Sequence, residues 1–188
     1  MTDTLFTHID RARMAPQWRP AWDALNQLTG DATFVEVFAQ APELLEFVMQ
    51  QFYVKIFFGG KVEQRYKQLA RLRLSIIHGC RTCNKQNVPG ALEAGFTPAQ
   101  IEALQEGRTE PFSPEDRAVI EYADQIALSN MEGRMTPSLF AKLRAHFSEA
   151  QILELGTAMA VISGMAKLSF VLDLVEREGY CPFANAAA

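Results

Sequence analysis

Hydrophobic positions recur at intervals of three and four residues along most of the chain, which is the spacing of one face of an α-helix. A run of Trp and Leu residues from Trp18 to Leu28 follows this spacing and stops at Gly30. A longer aromatic run covers about 43–57, and the longest apolar run covers about 149–178. No alternation of apolar and polar residues lasts long enough to predict a strand. The pattern therefore predicts an all-α fold of about seven to eight helices.

Three helix starts share one design, a Thr or Ser followed by Pro: Thr97-Pro98, Ser113-Pro114 and Thr136-Pro137. The hydroxyl accepts one of the unpaired N–H groups of the first turn, and a proline in that turn has no N–H to leave unpaired. We therefore expect helices at about 98–106, 114–129 and 137–146. Gln100 and Asp116 stand where a capping box would place its second side chain.

The composition is that of one ordinary globular domain. Of the 188 residues, 48% are hydrophobic and 21% are charged, and no repeat, linker or change of composition marks a second domain within 1–188. The net charge of −4 disfavours a nucleic-acid partner. No uninterrupted apolar run reaches the ~18 residues of a membrane helix, and the first residues do not resemble a secretory signal. We expect a cytoplasmic protein with no membrane partner.

The chemistry-bearing motif is Gly79-Cys80-Arg-Thr-Cys83. Three residues are nearly one helical turn, so a helix places both sulfurs on one face, where they can close a disulfide or share a metal ion. A zinc site needs four ligands, and only His78 and Cys181 are available to complete the set. A thioredoxin-like motif needs a preceding strand, whereas 69–77 has helical periodicity. Redox chemistry is favoured, and we predict neither a metal nor a cofactor.

Positive charge is concentrated around this motif. The segment 61–85 contains only one acid, Glu63, against seven basic residues: Lys61, Arg65, Lys67, Arg71, Arg73, Arg81 and Lys85. Its net charge is +6, so the rest of the chain carries −10. Cationic surroundings favour the reactive thiolate over the thiol. The sequence therefore favours reactive cysteines over two small buried hydrophobes.

The segment from Gln68 to Cys83, QLARLRLSIIHGCRTC, continued by Ala-Gly-Phe-Thr at 94–97, resembles the carboxymuconolactone decarboxylase and alkylhydroperoxidase D (AhpD) superfamily. The similarity is firmest over about 43–122, and 146–172 resembles the last helix of longer members. The resemblance implies an AhpD-like helical bundle, a trimer or hexamer, and thiol-based reduction of hydroperoxides.

The resemblance also implies roles for single residues, with Cys83 as the attacking thiol and Cys80 as the resolving thiol. In the peroxidase branch, a Glu twelve residues before the first cysteine and a His four residues after the second form a proton relay. Those positions are Gln68 and Asn87 here, and neither amide accepts a proton at neutral pH. His78 is the nearest titratable base in sequence. It lies about 160° from Cys80 in a continuous helix, so it reaches the thiols only if Gly79 breaks the helix.

Three functions remain open. The first is a thiol-dependent peroxidase or disulfide reductase that takes a hydroperoxide or disulfide substrate and a dithiol reductant. The second is a non-enzymatic or redox-sensing protein that has lost the relay. The third, decarboxylase-like lactone chemistry, leaves the cysteines unexplained. The apolar surfaces of 43–57 and of the last helix predict a homo-oligomer.

Overall fold

The computed structural model describes residues 4–182, and over that range it confirms the predicted all-α fold. A 3₁₀ turn at Pro16–Trp18 precedes the first α-helix. The nine α-helices of the described residues are α1 Arg19–Thr29, α2 Thr33–Phe38, α3 Pro42–Glu46, α4 Gln64–His78, α5 Arg81–Glu93, α6 Pro98–Gln105, α7 Pro114–Ile126, α8 Pro137–Arg144 and α9 Glu149–Val171. The number exceeds the predicted seven to eight, and α2 and α3 are only six and five residues long. Residues 1–3 and 183–188 of the predicted domain lie outside the described range.

The aromatic run predicted as one helix over 43–57 divides into two helical types. The short α3 passes directly into a π-helix, Phe47–Phe58, in which each N–H bonds to the carbonyl five residues back. The Phe52 and Phe57 side chains are buried, whereas Phe47, Val54 and Phe58 are exposed. The apolar side chains of this segment are distributed around the helix rather than along one face. Their spacing therefore could not reveal the transition from α-helix to π-helix.

Helix α4 is the centre of the molecule and packs against α5, α7 and α9. Its Leu72 and Leu74 side chains are buried in one cluster with Val119 of α7 and Met159 of α9. The α4–α9 contact also contains a charge pair, because the fully buried Lys67 Nζ lies 2.9 Å from Glu154 Oε1. This packing holds α4, and the motif at its end, in a fixed position.

The predicted helix starts are confirmed. The Thr97, Ser113 and Thr136 hydroxyls each accept an N–H from the third residue of the helix that follows. Gln100 completes a capping box with Thr97. The Asp116 carboxylate does not do so at Ser113; it lies 2.7 Å from the Arg65 guanidinium instead. A long-range charge partner has replaced the local one.

Helix α5 is continuous through Pro89, which lies inside it. The last helix, in contrast, ends at Val171, seven residues before the predicted 178. Asp173 adopts a left-handed conformation with φ of 51°, and the Leu174 N–H donates to Ser169 O at 2.9 Å. This hydrogen bond terminates α9, and the following residues run back across the start of α5.

Within residues 4–182, α9 alone is long and apolar enough to suit a membrane span. Glu154 and Lys167 interrupt the apolar sequence of α9, so no uninterrupted apolar run marks it as a membrane helix. In the structure Ile152 and Leu155 of this helix belong to the buried core. A core helix of a globular protein has the same length and composition.

Candidate redox site

The turn between α4 and α5 places both cysteines at the beginning of α5. Gly79 ends α4 in the left-handed region with φ of +62°, which glycine adopts without steric cost. Cys80 follows as the N-cap of α5, and its sulfur accepts the Cys83 N–H at 3.2 Å. The cysteine pair therefore lies where the unpaired N–H groups of a helix N-terminus concentrate.

Cys80 and Cys83 form a disulfide with their Cα atoms 5.2 Å apart. Cys80 is completely buried, whereas Cys83 is partly exposed. A reagent that enters from solvent therefore meets the Cys83 sulfur first. Within residues 4–182, the His, Cys, Asp and Glu side chains form no cluster of three or more that could hold a metal ion.

The disulfide borders a cavity of about 430 Å³ enclosed by α1, the π-helix and α9. Most of its wall is apolar, including Leu25, Phe34, Met49, Phe52, Ile162 and Met165. Arg71, Ser75 and His78 of α4 and Asn87 of α5 supply polar groups at the same wall. The site therefore combines a disulfide with an apolar compartment of small-molecule size.

The cationic setting predicted for the motif is largely neutralised by acids from elsewhere in the chain. Five of the seven basic residues have carboxylate partners at 2.7–3.2 Å, in the pairs Arg65–Asp116, Lys67–Glu154, Arg73–Asp124, Arg81–Glu178 and Lys85–Glu176. The charge of +6 read from the sequence is therefore not a free positive field around the sulfurs. Among these seven basic residues, Arg71 lines the cavity.

Arg71 is held by aromatic rings. Its guanidinium carbon lies 5.3 Å from the centre of the Tyr53 ring and 5.4 Å from that of Phe57. Only 6% of the residue is exposed. In the sequence Arg71 is one of seven basic residues, and nothing in its position distinguishes it from those that have carboxylate partners.

The two positions of the family's proton relay have different surroundings. Asn87 lines the cavity, and its Nδ2 donates to Arg71 O at 3.4 Å. Gln68 is buried against α5, where a Cβ on Gly90 would lie 2.9 Å from Gln68 Oε1. The structure thus brings Asn87, but not Gln68, to the cavity wall. A relay role for either residue stays a prediction.

His78 lines the cavity, and α4 ends at Gly79, which is the break its predicted role required. Its Nε2 accepts the Leu128 N–H at 3.1 Å. Burial lowers the pKa of His78 from 6.5 to about 4, so the ring is neutral at pH 7. With Nε2 engaged as an acceptor, His78 has the surroundings of a satisfied structural histidine, and its role as a base stays a prediction.

A segment that the sequence did not predict covers the motif. Residues 174–181, which we call the C-terminal strap, cross the start of α5 as an irregular chain. Glu178 N–H donates to Gly79 O at 2.8 Å, Glu176 N–H donates to Thr82 Oγ1 at 2.9 Å, and Cys181 Sγ donates to the His78 carbonyl at 3.0 Å. The strap places Cys181 in one hydrophobic cluster with Cys80.

Comparisons with known proteins agree on this architecture. Residues 42–125 match the profile of the Carboxymuconolactone decarboxylase family. The uncharacterised protein YdfG of Bacillus subtilis (strain 168) is 24% identical over 140 residues, which cover 73% of this chain and 92% of YdfG.

Two solved structures have the same fold over nearly the whole chain. An AhpD-core, peroxidase-related protein from Ralstonia eutropha JMP134 has a TM-score of 0.73 at 11% identity, covering 94% of this chain and 93% of that one. The debrominase Bmp8, in complex with 2,3,4-tribromopyrrole as a cysteine-to-alanine variant, has a TM-score of 0.73 at 18% identity and the same coverage.

Proposed function

We propose that this chain, whose residues 42–125 match the Carboxymuconolactone decarboxylase family, belongs to the carboxymuconolactone decarboxylase and alkylhydroperoxidase D superfamily and is a thiol-dependent oxidoreductase that reduces organic hydroperoxides. One observation carries the proposal: the Cys80–Cys83 disulfide borders an apolar cavity, with Cys83 as its accessible member. A dithiol that reopens the disulfide would complete the cycle. We place the enzyme in the cytoplasm, where such reductants keep cysteine pairs reduced.

The reaction has three balanced steps. The Cys83 thiolate attacks the terminal oxygen of the hydroperoxide, the O–O bond breaks, and the leaving alkoxide takes a proton to become an alcohol. Cys83 is then a sulfenic acid, and the Cys80 thiol attacks its sulfur to form the disulfide and release water. A dithiol reductant exchanges with the disulfide, becomes a disulfide itself, and returns both cysteines to the thiol form.

The start of α5 supports thiolate formation at this pair. N–H groups at a helix N-terminus favour a negative charge, and the Cys83 N–H already donates to Cys80 Sγ. Because five of the seven basic residues are paired with carboxylates, this local effect supports a thiolate more than the net charge of the segment does. Proton transfer lacks the family's relay, because Gln68 and Asn87 stand at the positions of its Glu and His. General acid–base help is typically worth 10²–10⁴-fold, so we expect slow turnover.

The same two amides favour a second candidate, a redox sensor that forms the disulfide once and does not turn over. Bmp8 is a debrominase, so attack of Cys83 on a carbon–halogen electrophile is a further variant of the thiol chemistry. Lactone decarboxylation ranks below all of these because it assigns no task to the cysteine pair.

The test is the reaction of pre-reduced protein with cumene hydroperoxide, followed by stopped flow and by thiol counting. We expect wild type to lose two thiols per peroxide, and Cys80→Ser to accumulate a sulfenic acid that dimedone traps. Cys83→Ser should not react, and Cys181→Ser, the matched control, should behave like wild type. Unchanged thiols in wild type would refute the proposal, as would normal peroxide reduction by Cys83→Ser. Oxidation without turnover in excess dithiothreitol would favour the sensor.

A further inference from the structure

The cavity beside the disulfide contains a buried cation that has no anion. Arg71 lines the cavity and is 6% exposed. Among residues 4–182 no carboxylate lies within ion-pair distance of its guanidinium, and no side-chain or backbone oxygen accepts a hydrogen bond from it. Five other cations of the same segment do have carboxylate partners. Of the two that have none among the described residues, Lys61 is exposed to solvent, whereas Arg71 is buried.

The rings that flank Arg71 do not satisfy it. A guanidinium carries five N–H donors in a planar fork. The faces of Tyr53 and Phe57 offer cation–π attraction to its charge but no oxygen to its donors. Burying a charge without a hydrogen-bonded partner is unfavourable, so an anion that entered the cavity would be bound strongly.

The remainder of the cavity selects against a small, fully hydrated ion. Its wall is mostly apolar, and its volume of about 430 Å³ lies in the ~300–1,000 Å³ range of organic-ligand sites. The Trp18 Nε1–H at this wall is a second buried donor, and no residue of the described chain accepts its hydrogen bond. The Asp31 carboxylate also lines the cavity; its Oδ1 accepts the Thr33 N–H at 2.9 Å, and its Oδ2 is buried with no hydrogen-bond donor among the described residues.

We propose that this cavity binds an amphipathic organic anion, a carboxylate attached to an apolar chain or ring. The carboxylate occupies the fork of Arg71, which matches its two oxygens, and the apolar body lies along the walls formed by α1, the π-helix and α9. The reactive group of the molecule then faces Cys83. The substrate class is a hydroperoxide of an apolar carboxylic acid rather than hydrogen peroxide. Only this last step rests on the proposed function; the binding does not.

Binding is measured on the oxidised protein, in which Cys80 and Cys83 cannot react with a hydroperoxide. The probes are 4-phenylbutyrate, 4-phenylbutanol and 4-phenylbutylamine, which share one apolar body and differ in the charge of the head group. Isothermal titration calorimetry should show the acid binding roughly 10–100-fold more tightly than the alcohol, since a hydrogen-bonded ionic contact has that strength. The amine should bind more weakly still.

Arg71→Met keeps an apolar side chain of similar length and removes the charge. It should reduce the affinity for the acid to that for the alcohol and leave the alcohol's affinity unchanged. Arg117→Gln, at an exposed position of α7, removes the same charge away from the cavity and should bind like wild type. Equal affinities for acid and alcohol in wild type would overturn the proposal without any variant. Preference for the amine would also overturn it and would point to Asp31.

The two proposals fail separately. Tight binding of the acid together with inert thiols would leave the binding site standing and remove the peroxidase. Reduction of cumene hydroperoxide with no selectivity for anionic probes would support the peroxidase and remove the anion-binding site.

Discussion

Replacing Gly79 by alanine measures how closely the strap approaches the turn between α4 and α5. The residue has φ of +62°, where a side chain costs about 1–2 kcal/mol. An added Cβ would also lie 2.5 Å from Cys181 Cα, a contact with backbone that cannot rotate away. The strap must move, and its hydrogen bonds to Gly79 O and to the His78 carbonyl are worth about 1 kcal/mol each.

Together these effects predict that Gly79→Ala lowers the free energy of unfolding by about 3 kcal/mol. For a chain of this size, that corresponds to a decrease in Tm of roughly 6–12 °C. Gly107→Ala is the matched control, because Gly107 has φ of +75° but no atom within 4 Å of the added Cβ. It carries only the same backbone cost, about 1–2 kcal/mol, or roughly 2–8 °C.

Differential scanning fluorimetry of wild type and both variants gives the comparison. The displaced strap should also expose Cys181, the remaining free thiol when Cys80 and Cys83 are oxidised. Its reaction with a thiol reagent under native conditions should therefore be faster in Gly79→Ala than in Gly107→Ala. Equal Tm values for the two variants, with Cys181 protected in both, would refute the argument that the strap packs against this turn.

Three further predictions concern other parts of the fold. Because the pKa of His78 is near 4 when folded and near 6.5 when unfolded, the unfolded chain binds the extra proton between these values. The contribution of His78 to the free energy of unfolding is fully present above about pH 6.5, and up to about 3 kcal/mol is lost as the pH approaches 4. In urea titrations His78→Gln should not show this decrease. The same pH dependence of stability in wild type and variant would contradict the argument. Lys67→Met leaves the Glu154 carboxylate partly buried without its cation and should cost about 3–5 kcal/mol in the same assay; a loss below 1 kcal/mol would show the pair to be dispensable. Val54 and Phe58 are exposed by 52% and 54% on the π-helix, and we propose that they lie in a homo-oligomer interface; Val54→Glu should reduce the mass measured by light scattering, and a 21.0 kDa wild type would exclude the interface.

The features predicted correctly from the sequence are those that depend on neighbours in the chain. Thr97-Pro98 begins a helix because the hydroxyl and the missing N–H act within one turn. Gly30 ends a helix because glycine adopts left-handed backbone without cost. The cysteine pair was found because its spacing is itself local.

The features that were missed depend on distant residues. The acids that neutralise Arg73 and Arg81 lie 51 and 97 positions away, so the charge around the motif was overestimated. The end of α9 has neither Gly nor Pro to mark it, and Asp173 adopts the left-handed conformation instead. Arg71 matters because its side chain faces a cavity rather than a carboxylate, which only the three-dimensional arrangement reveals.

The π-helix also has a consequence for how this pocket changes between related sequences. A stretch with one extra residue per turn is equivalent to an insertion absorbed inside a helix. Removing about one amino acid per turn from 47–58 would restore ordinary winding and rotate the aromatic rings on one side of each deletion. Tyr53 and Phe57 would then leave the Arg71 guanidinium, although the composition of the segment hardly changed. The number of residues in the π-helix, more than their types, therefore determines which rings pack against Arg71.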